Sequence, residues 1–514
     1  MKRILLLILC TATLVPVSAQ YSFDGELLDR LAEAYRKGDP RAVEAVSRVA
    51  AEADSTLLGM EPLTVTAKKQ LPPSGDRRDY MSLSPYWWPD PEKPDGLPYI
   101  RRDGERNPEV YDCPERVNGD RLGVAARTLA VLYRVTGDER YAAKCAELLR
   151  TWFLDPELGM NPNMTYSQLI RGRSTIRGTG IIDSRRMAFA LNAAQLIDSS
   201  PSWSDRDRHE LREWARAFLY WLEHSVNGRK ELHAANNHGL WYDAIRLMTA
   251  RAAGLDDRVR EIAEESVRPR FAGQVAEDGT LPEELVRTLS LHYSTFVLEA
   301  FSTARNVARA EGVELWEMPE AQRALACLLP YYEKPETWPW PQIAPFAQRR
   351  GAALLYEAGR ALGRTEWVEA ARRIGFHTSK ADFESMLHFE LQPIRGHLGH
   401  LPHIAALGAA VHIVGDGEQH PVVFENFEFI HVKHIRVLFS CGSIGSVRLF
   451  QPSLLFHQFE KPVVYLLGAF DHRPAPVRVL VAVVPRAALV DESMRSEELH
   501  HLPSTHHGAA PPKL

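Results

Sequence analysis

The chain has 514 residues, enough for one large domain or two to four average ones. Its composition, 45% hydrophobic and 25% charged, excludes a disordered or fibrous protein and allows a sizeable core. A formal net charge of -5 weighs against nucleic acid as a partner, because nucleic-acid binders usually carry a basic face.

The start reads as a signal peptide. Met1-Lys2-Arg3 is a short basic region, Ile4 to Val15 is apolar, and Val17-Ser18-Ala19 supplies the small residues a signal peptidase needs. The apolar run is short for a permanent membrane span. Cleavage after Ala19 and export to the periplasm or beyond are expected, and losing Lys2 and Arg3 takes the charge from -5 to -7. Cys10 leaves with the signal. Cys113, Cys145, Cys327 and Cys441 show no metal-ligand spacing and read mostly as buried thiols.

From Phe23 to Ala53 the periodicity predicts helix, with Leu27, Leu31, Ala34, Tyr35, Val43, Val46 and Val49 at three- and four-residue steps. Gly59 to Asn118 is irregular and rich in Pro, Gly and aromatics. A loop this long is either functional or disordered, and its cluster of Tyr80, Tyr86, Trp87 and Trp88 argues for order. These rings either plug the core or form the wall of a sugar cleft. Helical hairpins follow: Leu122–Val135 with Tyr141–Phe153, Arg185–Ile197 with Asp205–Ser225, and Asn236–Ala253 with Asp257–Phe271. Then come Glu283–Ala310, Glu320–Tyr332, Arg350–Leu362 and Glu366–Arg373. Ser204 and Asp207 stand at capping-box spacing. Hairpins of uneven length and no fixed period favour a mainly α fold, an incomplete α/α toroid, over a regular solenoid. The expected domains are 1–19 as signal, 20–376 as the toroid and 377–514 as a His-rich segment of unassigned fold. That last segment holds fifteen of the 20 histidines. Val422 to Cys441 in it reads as strand-like, and His500 to Leu514 as disordered. The segment is either an accessory β unit or an artefact such as a frameshift.

Two stretches carry chemistry. Ala234 to Asp243 places Asn236, Asn237, His238, Trp241 and Tyr242 on about two turns, and its helix N-terminus suits an anion. Leu281 to Tyr293 places Arg287 and Tyr293 within reach of one helical face, with His292 off that face. Taken singly, each is as readily structural: a capping Asn, a core His or Tyr, an Arg paired with Glu283 or Glu284. Together, the arginine would favour the phenolate and lower the tyrosine pKa from about 10.

These stretches resemble the alginate lyase superfamily, in its exported Bacteroidetes branch. The resemblance also rests on Pro72-Pro73-Ser74-Gly75-Asp76, Ser84-Pro85-Tyr86-Trp87-Trp88-Pro89-Asp90-Pro91 and Gly178-Thr179-Gly180-Ile181-Ile182-Asp183. It spans roughly residues 60 to 345. It implies an α/α toroid and β-elimination on a uronic-acid polysaccharide, alginate or a related polyuronate such as glucuronan, with no metal or other cofactor. It implies Asn237 and Arg287 near the substrate carboxylate, and His238 and Tyr293 in proton transfer. Other bacterial alginate lyases have one more residue between the arginine and the tyrosine. Donors aimed at the growing enediolate would lower the barrier by a few kcal/mol each. Tyr293 would serve as both base and acid when the C5 proton and O4 lie on one side, and His238 as base when they are opposed. Further substrate contacts are expected from Tyr80, Tyr86, Trp87, Trp88 and Trp241 by stacking. Arg171, with Arg173 and Arg177, would pair with carboxylates, and His292 and Gln342, beside Trp338 and Trp340, would lie at the rim. A glycoside hydrolase using Glu283, Glu284 or Asp183, and a non-catalytic glycan-binding protein, are the other readings.

Overall fold

The computed structural model describes residues 21–173, 177–376 and 381–392, and the backbone of six strands between residues 412 and 482. Residues 1–19, read above as a signal, Cys441, and the histidines at 397–403 and 500–507 lie outside the described residues. Among the described residues, no helix is long and apolar enough to cross a membrane. The chain divides into two units, Met1–Ile394 and Arg395–Leu514.

The first unit opens with two helices, α1 (Gly25–Arg36) and α2 (Pro40–Thr56), where the periodicity predicts one. Gly38 adopts φ 74°, Asp39 caps α2 by accepting from the Arg41 N–H at 2.9 Å, and Pro40 takes the first turn. A long irregular segment then carries β1 (Met81–Leu83), β2 (Trp87–Trp88) and β3 (Ile100–Arg101). Next come α3 (Pro114–Thr136), α4 (Glu139–Leu149) and β4 (Tyr166–Leu169). Strands β1 and β4 pair in parallel, and β2 and β3 pair antiparallel with Trp87 opposite Arg101. The remaining helices are α5 (Arg185–Ala193), α6 (Asp205–His224), α7 (Val226–Leu232), α8 (Asn237–Ala252), α9 (Asp256–Ile262), α10 (Arg268–Gln274) and α11 (Pro282–Leu285). They are followed by α12 (Ser290–Ala308), α13 (Pro319–Glu333), α14 (Gln348–Leu362), α15 (Thr365–Ile374) and α16 (Phe383–Leu387). The Ser204–Asp207 capping box is present at the start of α6.

Helices α3, α5, α8, α12 and α14 touch one another in succession, and α4, α6, α9, α13 and α15 pack behind them. This is the helical toroid, not a solenoid. Thirteen of the 16 residues of α8 and 16 of the 19 of α12 are buried, so these inner helices are packed on nearly every side. The outer α15 buries only Trp367, Ala370 and Ala371 of its ten residues.

Two departures from the periodicity matter for the site. The stretch 283–310 is not one helix: it breaks between α11 and α12, leaving Arg287 in a loop. Ser290 N–H donates to the Pro341 carbonyl at 2.9 Å, Ile343 N–H to the Thr288 carbonyl at 3.0 Å, and Leu289 bridges Gln342. Those bonds to a distant loop outcompete helix continuation. Beyond residue 376, α16 packs on α1, α2 and α3, and Phe383, Met386, Leu387, Phe389 and Leu391 are buried in the core of the helical unit.

In the second unit, β5 (His412–Gly415), β6 (Glu418–Pro421), β9 (Val463–Gly468) and β10 (Val477–Ala482) form an antiparallel sheet in the order β6-β5-β10-β9. Strands β7 (Phe427–Val432) and β8 (Ile435–Ser440) form a hairpin, which falls within the strand-like 422–441 stretch.

Candidate active site

The Asn-Asn-His stretch is built by its own chemistry. Asn236 is the N-cap of α8, its side chain accepting from the His238 N–H at 3.1 Å. Gly239 is required by close approach: a Cβ there would lie 2.2 Å from the Ala234 carbonyl oxygen and 2.5 Å from Arg270 Nη1. Arg270 itself clamps the segment, donating to the carbonyls of Leu232 and Ala234 and pairing with Asp243 at 2.6 Å.

Each of the four central side chains is held by a carboxylate or a hydroxyl. Glu284 accepts the Asn237 backbone N–H at 2.6 Å and its side-chain amide at 2.9 and 3.1 Å. Burial pushes the Glu284 carboxyl above its ordinary range, against the opposing pull of Asn237, Arg287 and His238. His238 Nδ1 lies 2.8 Å from buried Glu231, and 21% of the His238 side chain remains exposed. A carboxylate at Nδ1 selects the tautomer whose Nε2 lone pair faces away from Glu231. Arg287 forms a bidentate pair with Asp103 at 2.9 and 3.0 Å, and its Cζ lies 3.7 Å from the Tyr293 ring centroid. Tyr293 is buried, with its hydroxyl 3.1 Å from that of Tyr86.

The electrostatics correct one expectation. Arg287 does pull the Tyr293 pKa down, but burial, followed by Tyr86, outweighs it and raises the phenol above its ordinary value. The guanidinium stacks on the ring instead of meeting the oxygen, and Asp103 offsets its charge. Tyr293 is therefore a neutral phenol at rest. Burial opposes ionisation of Asp103 as well, yet the hydrogen bonds and charges of Arg287 and Arg101 hold it at about 2.

The outlying positions sort themselves. Tyr86 reaches the cluster. Trp87 and Trp88 are half-buried, Trp87 under Arg173 at 4.6 Å and Arg177 at 5.8 Å, and Trp88 donating to the Glu105 carbonyl. Tyr80 and Trp241 are 1% and 2% exposed and leave no face for a sugar. Tyr80 donates to Asp183, and Trp241 packs on Phe296 at 5.0 Å. Arg171 pairs with Glu109 at 3.2 Å. Gln342 is consumed at both ends: its Oε1 accepts the Leu291 N–H and its Nε2 donates to the Ala344 carbonyl, so it positions α12 instead of presenting to a sugar. His292, though off the predicted face, lies beside Tyr293 with ring centroids 5.5 Å apart and accepts from Arg350 at 2.6 Å. It is exposed on one side, while desolvation by the protein around it and the Arg350 charge push its pKa down to about 3. It is a neutral imidazole carrying its proton on Nε2.

Two of the three carboxylates that a hydrolase could recruit are spent. Asp183 accepts from Ser82 at 2.6 Å, Gln168 at 2.7 Å and Tyr80 at 3.2 Å, and lies 3.5 Å from Arg116. Glu284 is locked on Asn237, and Glu283 is exposed. They form no pair flanking a bond. Asp103 and Glu231 have no sequence signal, since the first lies in a remote loop and the second precedes a helix break. Cys113, Cys145 and Cys327 are free thiols, the first two buried.

Fold and cluster together define a helical-toroid protein that holds a phenol, an imidazole and a guanidinium near one buried carboxylate, Glu284. The alginate lyase family profile matches residues 64–338. Among solved structures, an alginate lyase from Bacteroides ovatus is 32% identical, over 73% of this chain and 100% of that one, with a TM-score of 0.68. Alginate lyase A1-III from Sphingomonas species A1 is 15% identical over 74% of this chain and 99% of that one, with a TM-score of 0.47. A variant of A1-III complexed with tetrasaccharide gives the same identity and coverage and a TM-score of 0.49. A search of curated proteins returned no match. With a profile match over more than half its length and the whole Bacteroides ovatus protein covered, the chain belongs to the alginate lyase family.

Proposed function

We propose that this protein cleaves a uronic-acid-containing polysaccharide, alginate or a related polyuronate such as glucuronan, by β-elimination, and that it acts outside the cytoplasm after removal of residues 1–19. Membership of the alginate lyase family supports the reaction class, and the likeness to an alginate lyase from Bacteroides ovatus supports alginate as the first substrate to try. The observation that carries the mechanism is the opposite poise of two groups. His238 is tied to Glu231 through Nδ1, which leaves Nε2 to accept a proton. Tyr293 is held as a neutral phenol and can give one.

His238 removes the proton on C5 of the uronate. Charge builds on the substrate carboxylate, where Arg287 offsets it by about a few kcal/mol, while Asn237, buried with its amide on Glu284, fixes the start of α8 beside His238. The electron pair then forms the C4–C5 double bond, the C4–O4 bond breaks, and Tyr293 protonates the departing O4. Asp103, Glu231 and Glu284 keep these groups in place. Nothing in the arrangement favours a purely binding role, which has no use for a phenol stacked under an arginine.

The Tyr293→Phe variant tests the assignment. It keeps the ring on which Arg287 stacks and loses the proton. Turnover should fall by about a hundred- to ten-thousandfold, while calorimetric affinity for an oligouronate stays close to wild type. Wild-type turnover in that variant would remove Tyr293 from the reaction.

A further inference from the structure

Arg185 is the side chain that the reaction above leaves without work. It begins α5, and its Cζ lies 4.8 Å from the Trp241 ring and 4.7 Å from the Phe296 ring. Two aromatic rings therefore border the guanidinium. It makes no hydrogen bond or ion pair with any described residue. The neighbouring arginines differ: Arg287 is matched by Asp103, and Arg350 by Glu299 through a bidentate pair at 2.6 and 2.8 Å. Glu299 is thereby engaged by another cation, and the charge on Arg185 stands uncompensated at contact distance. Crowding and the nearby Arg186 lower its pKa to about 9, which leaves it cationic at neutral pH. Yet it is only half-buried, so it is crowded by protein and still reachable from solvent. A guanidinium with five donors, unmatched by any described residue and open to solvent, has donors to offer an anionic ligand.

The position says which ligand. Phe296, under Arg185, is also 6.5 Å from Tyr293 and 6.3 Å from His292 between ring centroids. Arg185 thus stands across one aromatic ring from the proposed proton donor. His292, whose Nδ1 accepts from Arg350, turns an Nε2 proton outward in the same neighbourhood. A polyuronate carries a carboxylate on every sugar. When one uronate is seated against His238 and Tyr293, its neighbour in the polymer brings a second carboxylate close by. We propose that Arg185 is a specificity-determining residue that binds the carboxylate of a neighbouring uronate, two oxygens to its two outward N–H groups. The enzyme would then require consecutive uronates, not an isolated one. This rests on the lyase reading.

Arg185→Gln and Arg185→Lys, measured beside wild type on oligouronates of increasing length, test it. Losing a charge-assisted pair should raise KM about ten- to a hundredfold in Arg185→Gln, with kcat and melting temperature near wild type. Arg185→Lys should recover part of the loss, and the salt dependence of KM should be shallower in Arg185→Gln. The change should vanish on substrates whose neighbouring carboxyl groups have been reduced to alcohols. Unchanged KM and salt dependence in a folded Arg185→Gln would overturn the assignment. If that variant does not fold, Arg185→Lys decides, since a wild-type KM there is equally fatal. Failure of wild type to cleave any polyuronate would sink the lyase reading itself. Calorimetric titration of Arg185→Gln with an oligouronate would still report on this site, and an affinity equal to that of wild type would overturn it.

Discussion

Asp103 never touches the proposed reacting atoms, yet it decides where Arg287 lies. Its pKa of about 2 is below the ordinary 3.8, so the stability it contributes is fully present above about pH 4 and is lost as the pH falls through 2. The melting-temperature gap between wild type and Asp103→Asn should therefore hold steady above about pH 4 and close toward pH 2. A gap that persists at pH 2 would show that the carboxylate charge is not what holds Arg287. Asn237, His238, Arg287 and Tyr293 could be singled out as candidates because they fall in two short stretches. Their partners were not. Glu231 lies across a helix break from His238, and Asp103 meets Arg287 from a loop 184 positions away. The net pKa of Tyr293 was misjudged for the same reason, because local spacing records the arginine but neither the burial nor Tyr86.

Helix existence was readable from apolar periodicity, and breaks were not wherever a remote segment imposed them. The turn before α12 exists because Pro341, Gln342 and Ile343 take up its backbone groups, and the 283–310 pattern carries no sign of that. Helix α16 was missed because five residues are too few to show a period. It is anchored electrostatically as well as by its apolar side chains. His388, just past its end, lies 3.6 Å from Glu357, which in turn accepts from Ser302 at 2.6 Å. Burial disfavours charge on His388, but Glu357 outweighs it and raises the pKa above 6.5. The stability from this pair is present below that ordinary value and is lost as the pH rises through the raised one. Wild type should lose melting temperature as the pH rises above 6.5, and His388→Gln should show a flatter profile. Parallel profiles would refute the charged pair.

The whole helical unit needs more chain than its periodicity indicates. Truncation after residue 376 strips Phe383, Met386, Leu387, Phe389 and Leu391 from the core, at about 1.5–3 kcal/mol for each large side chain. A protein ending at 394 should melt close to full length, and one ending at 376 well below it. Equal melting temperatures for the two would mean that α16 adds nothing. The toroid itself could be inferred because hairpins of uneven length must share one core. The extent of that core could not, since its last elements are short. Above all these details stands the claim that a neutral phenol and a carboxylate-held imidazole eliminate across C4–C5 of a uronate. The most direct measurement is the ultraviolet absorbance of the purified protein's digests of polymannuronate, polyguluronate, mixed alginate and glucuronan, read beside the masses of the products. Rising absorbance, with new ends one water lighter than hydrolysis leaves, is the predicted result. Saturated products, or no cleavage of any of the four by a folded protein, would contradict it.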